Sequence, residues 1–159
     1  MSADDSRKVA ELLKDERLGF LTTVEPDGTL VSRPMALQEV EFDGDLWFFA
    51  ERDSRKVAHI AARPHVNVTA GSGGTWISLT GQASVVDDPG KKRELWNSGV
   101  EAWLPQGPDD ASVVLIKVEG RSAEYWDAPG GRLSTALSFV KAKATGQRID
   151  AGENERVDL

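Results

Sequence analysis

The residues best placed to do chemistry are cations in settings that demand a partner. Alternation along 29–37 puts Val31, Arg33, Met35 and Leu37 on one face of a strand, so Arg33 shares its side with three apolar groups. A guanidinium there has three outlets. It can meet an anionic ligand, for which its planar fork is well matched. It can form an internal ion pair with a carboxylate, or a bulge at Pro34 can turn it out to solvent. The pattern leaves these open. A second cluster, Asp53-Ser54-Arg55-Lys56, begins a predicted helix with two cations in its first turn, where the helix dipole favours negative charge. A bound phosphate would offset them, taking hydrogen bonds from free backbone N–H groups, the Ser54 hydroxyl and both basic side chains. Local neutralisation by Glu51 and Asp53 is the competing reading.

Other candidates are weaker. His59 and His65 are the only histidines and cysteine is absent, so no metal site is expected. His59 follows Lys56 by three residues on the same helical side, yet is expected to face solvent; His65 opens a strand. Gly71-Ser72-Gly73-Gly74 lacks the Lys-Ser/Thr ending of a phosphate-binding loop and precedes a strand pattern, so it reads as a turn. Asp87-Asp88 and Asp109-Asp110 each sit beside a proline and read as turn and cap residues. Trp47, Phe48 and Phe49 are consecutive on a strand, so both of its faces must be covered, one by core and the other by an interface or ligand wall.

The elements that position these residues are mostly strands. An amphipathic helix is predicted over 4–16, with Val9, Leu12 and Leu13 on one face. A hairpin follows, with arms at 18–24 and 29–37 around Glu25-Pro26-Asp27-Gly28, and then a second over 40–42 and 46–49 around Asp43-Gly44. A short helix runs from Asp53 or Ser54 to Ala62, stopped by Arg63-Pro64. Strands at 65–70 and 75–86, a helix at 89–97, a strand pair at 112–118 and 122–126, and a surface helix at 133–144 complete the expectation. Residues 146–159 are polar and read as a mobile tail or a strap laid on a neighbouring surface. This is a mainly β chain with small helices, an antiparallel six- to seven-stranded split β-barrel, as one domain over 1–145 followed by the polar segment 146–159.

The segments Ser32-Arg33-Pro34-Met35, Gly44-Asp45-Leu46-Trp47-Phe48-Phe49, Asp53-Ser54-Arg55-Lys56-Val57, Ala102-Trp103-Leu104-Pro105-Gln106-Gly107 and Ala123-Glu124-Tyr125-Trp126-Asp127, with the closing run 152–159, resemble the pyridoxamine-phosphate-oxidase-like flavin split barrels, and most closely their bacterial general stress protein branch. The resemblance implies FMN as cofactor. It implies that Arg33, Pro34, Met35, Phe49 and Ala50 line the isoalloxazine and ribityl chain, and that Ser54, Arg55 and Lys56 hold the phosphate. It also implies a homodimer with flavin sites at the interface, with Trp76 and Trp126 as wall residues from one or other protomer. Two departures argue against pyridoxamine-phosphate oxidation. Gln38 stands where the oxidases carry a substrate-binding lysine, and Arg132-Leu133-Ser134-Thr135-Ala136 keeps one arginine of a late two-arginine motif. An oxidoreductase acting on a small redox substrate, a non-catalytic flavin sensor or store, and a deazaflavin-dependent reductase are the functions the resemblance suggests.

Composition narrows the classes further. Hydrophobic residues make up 40% and charged residues 28% of the 159, in the range of a chain that folds without disulfides. With no cysteine, redox chemistry must come from a cofactor. A net charge of -7 argues against nucleic acid or an anionic membrane as partner. No apolar run is long enough to span a bilayer and residues 1–15 lack a signal-peptide core, so a cytoplasmic location is expected.

Overall fold

The computed structural model describes residues 3–38, 41–127, 141, 143–146 and 153–159. The first hairpin joins β1 (Leu18–Val24) to β2 (Leu30–Ala36). Its turn is set by Gly28 at φ 90°, whose N–H donates to the Glu25 carbonyl, and by Asp27, whose carboxylate accepts from the Thr29 N–H. Pairing runs unbroken from Leu18↔Ala36 to Val24↔Leu30 through Phe20↔Pro34, so Pro34 makes no bulge.

Three strands, rather than four, are formed up to Glu51 among the described residues: β3 spans Asp45–Glu51, and Glu41 and Phe42 lie outside any strand. The Asp43-Gly44 signal is a true turn, with Gly44 at φ 112° and Asp43 accepting from the Asp45 N–H. It does not close a hairpin, because β3 gives its edge to the distant β6 (Val113–Asp127), and the Gly44 carbonyl accepts from the Gly120 N–H. Phe42 still enters the core without a strand around it. Next come α2 (Arg55–Ala62), β4 (His65–Ser72) and β5 (Thr75–Val86). β4 and β5 turn on Gly73-Gly74, both at positive φ, which is the backbone a two-residue hairpin needs.

The strand pair expected over 112–126 is a single 15-residue strand, β6. Its register against β5 shifts between Thr80 and Gly81, with Thr80 opposite Ser122 and Gly81 opposite Gly120, so Arg121 is the extra residue of a bulge. A Cβ on Gly81 would stand 2.3 Å from the Glu119 carbonyl oxygen, so the close approach at the bulge requires glycine. On its other edge β6 pairs β3 with its first half and β7 (Glu153–Asp158) with its second. The polar closing segment is therefore, over these residues, a strand added in cis to the same sheet. The helix expected at 133–144 lies almost entirely outside the described residues.

The sheet order is β2-β1-β4-β5-β6-β3 with β7 on β6, all antiparallel; β2 and β3 are its ends, and the sheet is not closed by hydrogen bonds between them. Its inner face holds the main core, including Leu21, Phe48, Val68, Leu79, Ile116 and Val118. α1 (Ala3–Leu13) seals this core with Val9 and Leu13 and is tied to β6 by Lys8, whose ammonium donates to Asp127 at 2.9 Å. α3 (Pro89–Leu95) and α4 (Ser98–Trp103) build a second core on the other side of β3 and β6, from Phe49, Leu95, Val100, Leu104, Val113 and Leu115. This explains why Val113 to Ile116 are all buried: successive side chains face two different cores. The helix expected at 89–97 ends at Leu95, and Asn97 instead caps α4, its side chain accepting from the Val100 N–H.

Candidate functional site

α2 plugs one end of the sheet, and the β1–β2 turn is bound to it at two places. Arg63 donates to the Pro26 carbonyl at 2.8 Å and Arg55 pairs with Glu25. The helix therefore begins beside the inner face of β1 and β2, where Arg33 projects. Arg33 stands opposite Leu21 in the register and donates to neutral acceptors, the Leu21 carbonyl at 3.2 Å and the Thr23 hydroxyl at 2.7 Å. Among the described residues it has no carboxylate within ion-pair distance. Of the three outlets for this arginine, neither the internal ion pair nor the outward bulge is found among the described residues.

Arg33 and Lys56 are partly buried and close enough to oppose each other's charge. Burial pulls the Arg33 guanidinium below its ordinary value; Arg55 adds to this and Glu25 works against it. Burial also pulls the Lys56 ammonium down, with Arg33 adding to the effect and Glu51 opposing it. Lys56 makes no hydrogen bond or ion pair among the described residues. Local neutralisation is thus realised for Arg55, though by Glu25 rather than by Glu51 or Asp53. It is incomplete for Lys56, on which Glu51 acts only at a distance.

Ser54 is the N-cap of α2, with extended φ and ψ, yet its side chain makes no capping hydrogen bond. Its Oγ is buried and has no partner, which is costly unless an acceptor or donor comes from elsewhere. The corner therefore combines a partnerless lysine, a half-satisfied arginine charge, an orphan hydroxyl and the free N–H groups of a helix start. That set of donors fits a phosphate.

His59 does not face solvent as expected. It is 7% exposed, with Nδ1 2.9 Å from the Thr23 hydroxyl and Nε2 3.9 Å from the Glu25 carboxylate. The signal in the sequence was Thr23, a polar residue at an inward position of β1 in step with Gly19 and Leu21.

The remaining predicted residues are dispersed. Pro34 is exposed on the outer face of β2 opposite Phe20, and Met35 is buried in the main core. Ala50 also lies in the main core, while the Phe49 ring belongs to the second core, edge-on to Trp96 at 5.2 Å. The second face of the Trp47-Phe48-Phe49 strand is thus covered by α3 and α4 and is not an open wall. Trp76 and Trp126 pair across β5 and β6. Their faces, traced through the pairs Gly71↔Trp76, Ala70↔Ile77 and Gly19↔Ala70, are opposite to that of Arg33. Within one chain they do not meet the cationic corner. They line a cavity of about 520 Å³ with Leu18, Phe20, Ala70 and Ile77. Among the described residues there is no cluster of three metal-ligating side chains, and no helix is long and apolar enough to cross a membrane.

Comparison with known proteins agrees with this architecture. A solved structure from Jannaschia sp. CCS1 superposes with a TM-score of 0.78 at 25% identity, over 99% of this chain and 100% of its own. The general stress FMN/FAD binding protein of the phytopathogen Xanthomonas citri superposes at 0.66 with 27% identity, over 79% of this chain and 89% of its own. Protein bli-3 of Neurospora crassa is 30% identical over 129 residues, which make up 74% of this chain and 62% of that protein, so the match covers less than two thirds of the fungal relative. The family model described as pyridoxamine 5'-phosphate oxidase like matches residues 4–150. With the open antiparallel sheet and its small helices, this match makes the chain a split-barrel member of the pyridoxamine 5'-phosphate oxidase-like family.

Proposed function

We propose that this protein binds FMN as a general-stress-type flavoprotein, with the phosphate in the corner formed by Arg33, Ser54, Arg55 and Lys56. The observation that carries the reading is Lys56, a partly buried cation without a partner among the described residues, in the first turn of the helix whose N-cap, Ser54, has an orphan hydroxyl. The Xanthomonas citri relative, whose name records FMN/FAD binding, supports the same cofactor class. When bound, the flavin supplies the hydride and electron transfer for a small redox substrate, and the chain's own residues supply binding and electrostatics. Arg33 and Lys56 neutralise the phosphate and relieve their mutual repulsion, and the α2 N–H groups and Ser54 complete its hydrogen bonds.

We also propose a homodimer that uses the outer face of the sheet. Phe20, Trp76 and Trp126 are 52%, 56% and 38% exposed, and with Leu18 and Leu30 they form an apolar surface that water solvates poorly. Because Trp76 and Trp126 face away from Arg33 in their own chain, they reach a flavin only as walls offered to a second copy.

The test is to titrate ligand-free protein with FMN and with riboflavin, which lacks the phosphate. FMN should bind at least about tenfold more tightly, the factor expected from one charge-assisted hydrogen bond, and the Arg55→Ala/Lys56→Ala variant should erase the difference. Equal affinity for the two ligands, or unchanged FMN binding by the variant, refutes the phosphate site. Rapid-mixing reduction of the bound flavin by NADH or NADPH then separates an enzyme from a flavin store.

A further inference from the structure

Thr23 is fully buried at 0% exposure, and its hydroxyl sits between two side chains from different elements, Arg33 of β2 and His59 of α2. The chemistry of the three groups fixes the direction of the bonds. A guanidinium only donates, so the Thr23 oxygen accepts from Arg33. The single Thr23 hydrogen then needs an acceptor. Among the described residues the one within reach is Nδ1 of His59, at 2.9 Å. His59 is thereby held as the tautomer with its proton on Nε2, which points to Glu25 at 3.9 Å, and Glu25 also receives Arg55.

We infer that Thr23 and His59 are positioning residues, which hold the Arg33 guanidinium in the cationic corner without touching the ligand. The inference rests on the FMN reading above. It explains a buried threonine on the inner face of the sheet and a buried histidine on the helix packed against it. A leucine and a valine would fill these places without leaving polar groups to satisfy. It also explains why Arg33 keeps its charge unpaired: tied to a hydroxyl and a carbonyl, the fork is fixed in place but not neutralised. Removing the hydroxyl leaves Arg33 with the 3.2 Å bond to Leu21 alone. The guanidinium then samples other rotamers, and the entropy of ordering it is charged to ligand binding.

The experiment compares Thr23→Val, which keeps the shape, with Thr23→Ser, which keeps the hydroxyl, and adds His59→Leu and His59→Asn. In FMN titrations Thr23→Val and His59→Leu should weaken binding about tenfold, equivalent to about 1.4 kcal/mol. Thr23→Ser and His59→Asn should stay near wild type. In an Arg33→Ala background Thr23→Val should have no further effect, an outcome that a general structural role would not produce. A second measurement needs no flavin: hindered rotation of the Arg33 guanidinium, read by nitrogen-detected NMR on ligand-free protein, should be lost in Thr23→Val and kept in Thr23→Ser. Wild-type protein that fails to bind FMN refutes the proposed function, and the NMR comparison then decides the positioning role alone. Wild-type FMN affinity in Thr23→Val, the same loss with and without Arg33, or a guanidinium equally mobile in wild type and Thr23→Val overturns the inference.

Discussion

Replacing Lys56 by methionine should move stability and ligand affinity in opposite directions. Methionine keeps the apolar stem and removes a cation that is repelled by Arg33 and has no ion pair among the described residues to offset it. Because Lys56 is only partly buried, solvent screens most of that repulsion, and the gain in the ligand-free protein should be about 0.5–1 kcal/mol. For a domain of this size about 1 kcal/mol corresponds to roughly 2–4 °C in Tm, so the variant should melt about 1–4 °C higher. With FMN the sign reverses: one charge-assisted hydrogen bond is lost, about 1.5–3 kcal/mol or roughly 10–100-fold in Kd. Thermal unfolding with and without FMN reads both effects, since saturating ligand at about 100 times Kd should add about 2.7 kcal/mol to the wild type. The pH dependence has a defined sign. Burial depresses the Lys56 ammonium in the ligand-free fold, so its penalty is full below that depressed value and is relieved as pH rises through it. A phosphate restores the charged form, so FMN binding should weaken as pH climbs toward the ordinary lysine value of 10.5, and Lys56→Met should flatten that slope. A lower ligand-free Tm together with unchanged FMN affinity would show that Lys56 is a packing residue balanced by Glu51.

Three further outcomes test the scaffold. Gly81→Ala puts a Cβ against the Glu119 backbone at the β6 bulge and should cost about 1–3 kcal/mol by overpacking, measured by urea unfolding. Lys92, 3% exposed, donates to Asp87 and to the Val113 carbonyl at 2.9 Å; Lys92→Ala orphans that carbonyl and should lower stability by about 1–3 kcal/mol. Asp87 is held below its usual range by its hydrogen bonds to Arg52 and then Lys92, and Asp127 by Lys8 and then Thr75. Their contributions are present above the ordinary carboxylate value of 3.8 and are lost as pH falls below it, so acid unfolding of Lys8→Met should begin at higher pH than wild type.

Much of this arrangement was legible in the sequence where local chemistry and tertiary pairing agree. Strict alternation placed Arg33 on the inward face of β2, and the Pro-Asp-Gly turn fixed the hairpin that brings Glu25 to α2. The partner of Arg33 was not legible, because a threonine hydroxyl and a backbone carbonyl carry no charge signature. His59 was missed because a helix of eight residues that plugs the end of a sheet is buried over a wider arc than a surface helix, taking in Val57, His59 and Ile60. Asp43-Gly44 misled for the opposite reason: the turn chemistry is real, but the edge of β3 is claimed by a strand that turn statistics cannot see. Among its described residues the closing segment has a single buried apolar residue, Val157, and its strand character comes from backbone pairing with β6.

The dependence of β3 on β6 also sets an order for biosynthesis. A nascent chain that has left the ribosome as far as Val86 already holds β1, β2, β4 and β5, which pair among themselves. Among the described residues, Leu46-Trp47-Phe48-Phe49 has no ladder partner until Val113–Glu119 emerges. During that interval the most aromatic stretch of the protein is an uncovered strand, the kind of segment that chaperones recognise and that seeds misassembly. Translation pauses between α2 and β6 should therefore lower the yield of soluble protein more than pauses placed after β6.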